Sequence, residues 1–136
     1  MVSYRTPLGR ARGLGSAKHG AGHWVSERVS AIALVPLVIW MVYGVIQLAA
    51  GDYGFAVQWI GNPLNATLVV LTFAISFWHM HSGVRVVVED YVHKTGTKTA
   101  LLLANLFICG FVGALAIFSI LRVSLFVSVI QILKDH

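Results

Sequence analysis

Residues 29–50 read VSAIALVPLVIWMVYGVIQLAA, an apolar run without a single charge. At about 1.5 Å of rise per residue, a helix of this length crosses the ~30 Å hydrocarbon core of a bilayer. In that medium a backbone must satisfy its own polar groups, so the run is expected to be a transmembrane helix. Pro36 removes one backbone donor inside it and is expected to bend it, which neighbouring helices tolerate in a membrane. Gly51-Asp52 stops the run, and a short polar loop with Asn62-Pro63 is expected to follow.

Two further runs extend the pattern. Residues 64–88 are apolar except for His79, His81 and Arg85, and the run stops at Glu89-Asp90-Tyr91. A third begins near Ala100 and continues to Leu121; Arg122 then precedes another apolar stretch, 123–133, which either prolongs the helix or lies in the interface. The expected fold is therefore an all-α membrane protein with three transmembrane helices, at about 29–50, 64–88 and 100–121, plus an apolar tail. Residues 1–27 form a basic arm and 28–136 the three-helix domain. The whole chain agrees with this: 136 residues, 57% apolar, 10 basic and 5 acidic side chains, mean hydropathy +0.79. A soluble domain carries about 25% charged residues. The single cysteine, Cys109, excludes an internal disulfide framework.

The net charge of +5 does not imply nucleic acid, because the charges sit at the ends of apolar runs and not on one basic face. They set orientation instead. Arg5, Arg10, Arg12 and Lys18 precede the first run with no acid among them, the first loop has no basic residue, and the second has Lys94 and Lys98. By the excess of basic residues on the inner side, the N-terminus is expected inside and the C-terminus outside. An Arg-rich, acid-free start also suits a mitochondrial transit peptide, although Thr6-Pro7-Leu8-Gly9 and Gly13-Leu14-Gly15 are expected to interrupt any amphipathic helix there. The first apolar run starts too late and is too long for a secretory signal.

Polar groups inside a span are costly and so mark candidate function. On a helix with about 100° per residue, His79, Gly83, Val86 and Asp90 form one stripe, while His81 and Arg85 share another face. A histidine near mid-membrane with a glycine one turn on can supply an axial nitrogen to haem iron, the glycine admitting the macrocycle or a neighbouring helix. It can equally be a histidine hydrogen-bonded to the next helix. One such histidine cannot complete a six-coordinate haem, so ligation implies a partner chain. A copper or zinc site on His79 and His81 would need an acid or thiol at their depth, and the run has none. Arg28, after His23-Trp24, can pair with an anionic group or snorkel to lipid phosphate. Asp90-Tyr91 offers a carboxylate and a phenol at the inner boundary, suited to a quinone headgroup or to an aromatic belt.

The pattern His79-x-His81-x-Gly83 followed by Asp90-Tyr91-Val92-His93, with His23-Trp24-x3-Arg28-Val-Ser-Ala upstream, resembles the small membrane-anchor (cytochrome b small) subunit of succinate dehydrogenase. The resemblance spans residues 22–94. It implies that His79 is an axial ligand of haem b, the second histidine coming from the larger anchor subunit, and that His81 is the less favoured ligand. It implies that Arg28 lies near the haem propionates and that Tyr91, supported by Asp90, hydrogen-bonds a ubiquinone carbonyl. His93 is either a proton donor to reduced quinone or a surface histidine. Arg85 has no counterpart in the resemblance and is expected to snorkel. The implied partners are the second anchor, an iron–sulfur subunit and a flavoprotein subunit, in the bacterial cytoplasmic membrane or the inner mitochondrial membrane. No Gly-rich nucleotide loop or cysteine set in this chain could hold the flavin or clusters itself. Two rival readings are a fumarate reductase anchor working with menaquinone and a non-redox membrane scaffold whose histidines only bond neighbouring helices.

Overall fold

The computed structural model describes residues 6–13 and 20–134; Arg5 and Lys18 of the basic arm fall outside them. After a short helix α1 (Pro7–Ala11), the chain forms α2 (Gly20–Ala50), α3 (Tyr53–Gly61), α4 (Pro63–Tyr91) and α5 (Thr95–Lys134). Among the described residues there is no strand. Three of the helices, α2, α4 and α5, are long and apolar enough to cross a membrane.

Local chemistry places the boundaries. Thr6 Oγ1 accepts from Gly9 N at 3.1 Å and Pro7 occupies the first helical position, so a stretch expected to break a helix instead starts one. Gly13, at φ +60°, ends that turn in the left-handed conformation that glycine adopts without penalty. The stretch between the first two spans is largely helical, which corrects the polar loop expected there. Asp52 caps α3 by accepting from Phe55 N at 2.7 Å, and Tyr53-Gly-Phe-Ala-Val-Gln-Trp-Ile-Gly is apolar enough to pack on its neighbours. Asn62 ends α3 and caps α4, accepting from Leu64 N at 2.9 Å with Pro63 at the first position of the new helix. The apolar tail is also decided. It continues α5 without a break, giving 40 helical residues, and α2 likewise begins well before residue 29 and runs through Pro36.

The tail remains helical because it has something to pack on. Going up α5, Asn105 meets His81, Gly113 lies against Phe77 and Val127 against Gly61. α5 therefore runs antiparallel to α4, and its C-terminal part packs on α3, which is separated from α4 by the extended Asn62. On the other side Ser26 meets Trp78, Ser30 meets His79, and Trp40 stacks on Trp59 with centroids 5.5 Å apart. A Cβ on Gly44 would stand 2.8 Å from Trp59, so this crossing requires glycine. α4 therefore sits between α2 and α5, and no comparable packing joins those two to each other. The result is an open layer. Its buried side chains are small or polar: Ala66, Val69, Val88, Cys109 and Val127 on one count, Ser30, Thr72, Ser82, Asn105 and Ser124 on the other. Lipid is as apolar as leucine, so membrane helices associate through close approach and hydrogen bonds and leave large apolar residues outward. Hydroxyls within the spans bond back to their own helix, as Thr72 does to Leu68 O at 2.7 Å.

Candidate functional site

α4 faces two different neighbours, and its two histidines face one each. His79 Nδ1 lies 3.0 Å from Ser30 Oγ on α2. One turn away, Trp78 Nε1 donates to Ser26 Oγ at 3.1 Å. Ser26 and Ser30 are four residues apart on one face of α2, and their small side chains let α4 come close enough for both bonds. The Ser30 hydroxyl also donates to Glu27 O at 3.0 Å. His79 Nε2 has no hydrogen-bond partner among the described residues. Gly83, one turn along the same face, opens on free space, with nothing within 4 Å of a Cβ placed there.

His81 points to α5. Asn105 Nδ2 lies 3.0 Å from His81 Nδ1 and 3.0 Å from the His81 carbonyl, and Cys109 Sγ donates to Asn105 Oδ1 at 3.2 Å. A carbonyl can only accept, which fixes the amide nitrogen toward His81 and leaves its other hydrogen for Nδ1. Asn105 and Cys109 are buried. His81 is thus the histidine bonded to a neighbouring helix, and its opposite orientation to His79 agrees with the helical stripe.

The bond to Ser30 also ties His79 to a marked level of α2. Ser30 is two residues beyond Arg28 and three beyond Glu27, the last charges before the apolar run of α2. His79 therefore lies about one turn from that charged level of α2. Arg28 is exposed and stacks on Trp24, its guanidinium carbon 5.4 Å from the ring centroid. It shares the height of His79 but projects about 200° round α2 from Ser30, so it does not touch the histidine within this chain.

Asp90 and Tyr91 close α4 about 17 Å further along its axis. Both are exposed, Tyr91 at 77%. As consecutive helical residues they diverge by about 100°, and no hydrogen bond joins their side chains. His93 Nδ1 donates to the Tyr91 carbonyl at 3.1 Å. Lys98 Nζ donates to Glu89 O at 2.8 Å and so caps the end of α4 from α5. Arg85, left without a role by the sequence, pairs with Glu89 through Nε at 2.8 Å. Both partners are exposed, so the pair is worth only a few tenths of a kcal/mol, roughly 0.3–0.5.

Sequence reasoning missed Ser30 and Asn105. The small-residue spacing Ser26-x3-Ser30 was a signal for a close helix contact, and Asn105 is an amide inside a run read as uniformly apolar. A cleft of about 610 Å³ lies elsewhere, between α3 and the α5 tail, with Tyr53, Arg122, Phe126 and Lys134 in its wall. A smaller one of about 340 Å³ lies beside the histidine clasp, lined by Ser26, Ser30, Ala33 and Trp78. Among the described residues no three His, Cys, Asp or Glu side chains converge to hold a bare metal ion.

The fold and site define a class: a three-span membrane subunit that offers single polar groups and apolar faces at its surface. Residues 2–129 match the family described as succinate dehydrogenase/fumarate reductase transmembrane subunit, and the chain belongs to that family, as a membrane anchor of the succinate dehydrogenase kind. It is 33% identical over 110 residues to the succinate dehydrogenase hydrophobic membrane anchor subunit of Rickettsia conorii, covering 79% of this chain and 86% of the relative. The corresponding subunit of Paracoccus denitrificans is 28% identical over 124 residues, 91% of this chain and 95% of the relative. The succinate dehydrogenase membrane anchor subunit of Reclinomonas americana is 31% identical over 84 residues, 60% and 70% of the two chains. The three apolar helices place the chain in a membrane, and the Rickettsia and Paracoccus relatives fit the bacterial inner membrane.

Proposed function

We propose that this chain anchors succinate dehydrogenase by docking its iron–sulfur and flavoprotein subunits at the inner face, contributes one ligand to haem b, and shapes part of a ubiquinone site. The observation that carries the haem reading is the asymmetry of His79. Its Nδ1 is held by Ser30, its Nε2 is bare of partners, and Gly83 leaves room beside it. One imidazole presented this way would hold haem b from one side, and a second anchor subunit would hold it from the other. Arg28 lies at the same height on another face of α2, and the family resemblance supports its pairing with a propionate. When bound, haem b supplies a one-electron carrier next to the quinone site.

Tyr91 and Asp90 stand at the inner boundary, where a quinone that takes up two electrons must also take up two protons from water. The Tyr91 phenol can donate to a quinone carbonyl, and Asp90, on the adjoining face, can pass protons without touching the phenol. With the N-terminus inside, this end of α4 faces the soluble subunits.

Purification in mild detergent tests the reading. A flavoprotein, an iron–sulfur protein and a second anchor should elute with this chain, together with a haem b absorbance that shifts on reduction. A complex of the same subunits with no haem absorbance would leave the anchor function standing and remove the haem reading.

A further inference from the structure

Ser30 is 7% exposed, and its one hydroxyl has two partners at 3.0 Å, the Glu27 carbonyl and His79 Nδ1. The carbonyl can only accept. With both bonds made, the hydroxyl proton goes to Glu27 O, and the bond to His79 must be donated by Nδ1–H. The first bond alone would satisfy a serine inside a span. The second reaches to another helix and does something to the histidine: it fixes the tautomer with Nε2 unprotonated and fixes the plane of the ring. A hydroxyl that is already donating is also a better acceptor, so the relay from imidazole to hydroxyl to helix carbonyl polarises the Nδ1–H bond and strengthens Nε2 as an electron-pair donor to a metal. Metal-ligating histidines generally have such a partner on the far nitrogen.

We propose that Ser30, acting through the Glu27 carbonyl, is a positioning residue that sets the tautomer, orientation and donor strength of His79 as a haem ligand. This rests on the reading that His79 binds haem b. The side chain is suited to the task because it is small enough for the close α2–α4 crossing and still carries a hydroxyl, which alanine at that crossing would lack.

The test uses the purified complex with Ser30→Ala, and the near-isosteric pair Ser30→Thr and Ser30→Val, which load the helix crossing equally and differ in the hydroxyl. Losing one net hydrogen bond should speed haem transfer to an apo-globin acceptor by a few-fold to about tenfold in Ser30→Ala. The haem midpoint potential should move to more positive values, because a weaker donor stabilises oxidised iron less, and the low-spin resonance signature should shift with it. Ser30→Thr should restore all three readouts and Ser30→Val none. Wild-type haem release, potential and resonance in Ser30→Ala, or identical behaviour of the Thr and Val variants, would overturn the proposal. His79→Ala is the companion control: haem retained there would remove the ligand reading itself, whereas haem lost there with Ser30 variants unchanged would remove only the role of Ser30.

Discussion

His79 and His81 lie two residues apart on one helix and are tied to opposite neighbours. His79 is held from α2 by a hydroxyl that has spent its proton on a backbone carbonyl, so its Nε2 is left with a free lone pair. His81 is held from α5 by an amide that grips both its ring and its carbonyl and is itself locked by Cys109. Its Nδ1 accepts, which puts the proton on Nε2, the nitrogen a metal would need. The same side chain thus keeps an open ring nitrogen on one face and serves as a helix clasp on the other. The difference lies wholly in the donor or acceptor nature of the neighbour.

The largest effect that can break this comparison is on haem. His79→Ala should abolish most of the reduced-minus-oxidised haem b signal in membranes, and His81→Ala should leave most of it. Equal losses would make the two faces equivalent. Next come two glycines. Gly113 is packed against Phe77, so Gly113→Leu should overpack the α4–α5 crossing and destabilise the complex by about 1–3 kcal/mol in thermal denaturation. Gly83 opens on free space, so Gly83→Leu should leave the packing of this chain intact and reduce haem content instead. A normal haem signal in that variant would remove the close approach assigned to the His79 face.

A smaller change is expected at the exposed end of the same helix. Tyr91→Phe keeps the ring and removes a bond of about 0.5–1.5 kcal/mol, so apparent affinity for a short-chain quinone should fall a few- to tenfold. Haem content and dye reduction by the soluble subunits should stay normal; a parallel loss of dye reduction would make Tyr91 an assembly residue. Smallest is the clasp. Asn105→Leu should cost on the order of 0.6 kcal/mol of stability, the usual size of an interhelical membrane hydrogen bond. The thermal midpoint should drop slightly with the haem spectrum unaltered, and a spectral change would link the α5 face to the haem face after all.

Much of this was legible from one strand of reasoning, the lengths of apolar runs. Residues 29–50 have no fold in bilayer other than helix, and His79, Gly83 and Asp90 share a face because the helical period is fixed. The opposed directions of His79 and His81 follow from the same period. What the run lengths could not carry was everything set by a second helix. The stretch 53–61 was too short to read as a span, and its helix depends on the Asp52 cap and on Trp59 packing against Trp40 and Gly44. The tail beyond Arg122 is helical because α3 runs beside it. Arg85 found Glu89 one turn on, a pairing visible in its spacing but obscured by reading the residue as a lone charge in a span.

The sequence by itself determined that this chain crosses a membrane three times and which residues line each face of each helix, since bilayer thickness and helical pitch are constants that a run of side chains either meets or does not. Only the tertiary structure decided height and partnership. His79 stands fifteen residues into a 25-residue run, and its own helix does not say which level of α2 it meets; the bond to Ser30 sets it about one turn from Glu27 and Arg28. Tautomer is likewise a property of a pair: no sequence position states which ring nitrogen holds the proton until a hydroxyl from another helix, with its own proton already engaged, accepts a hydrogen bond from it.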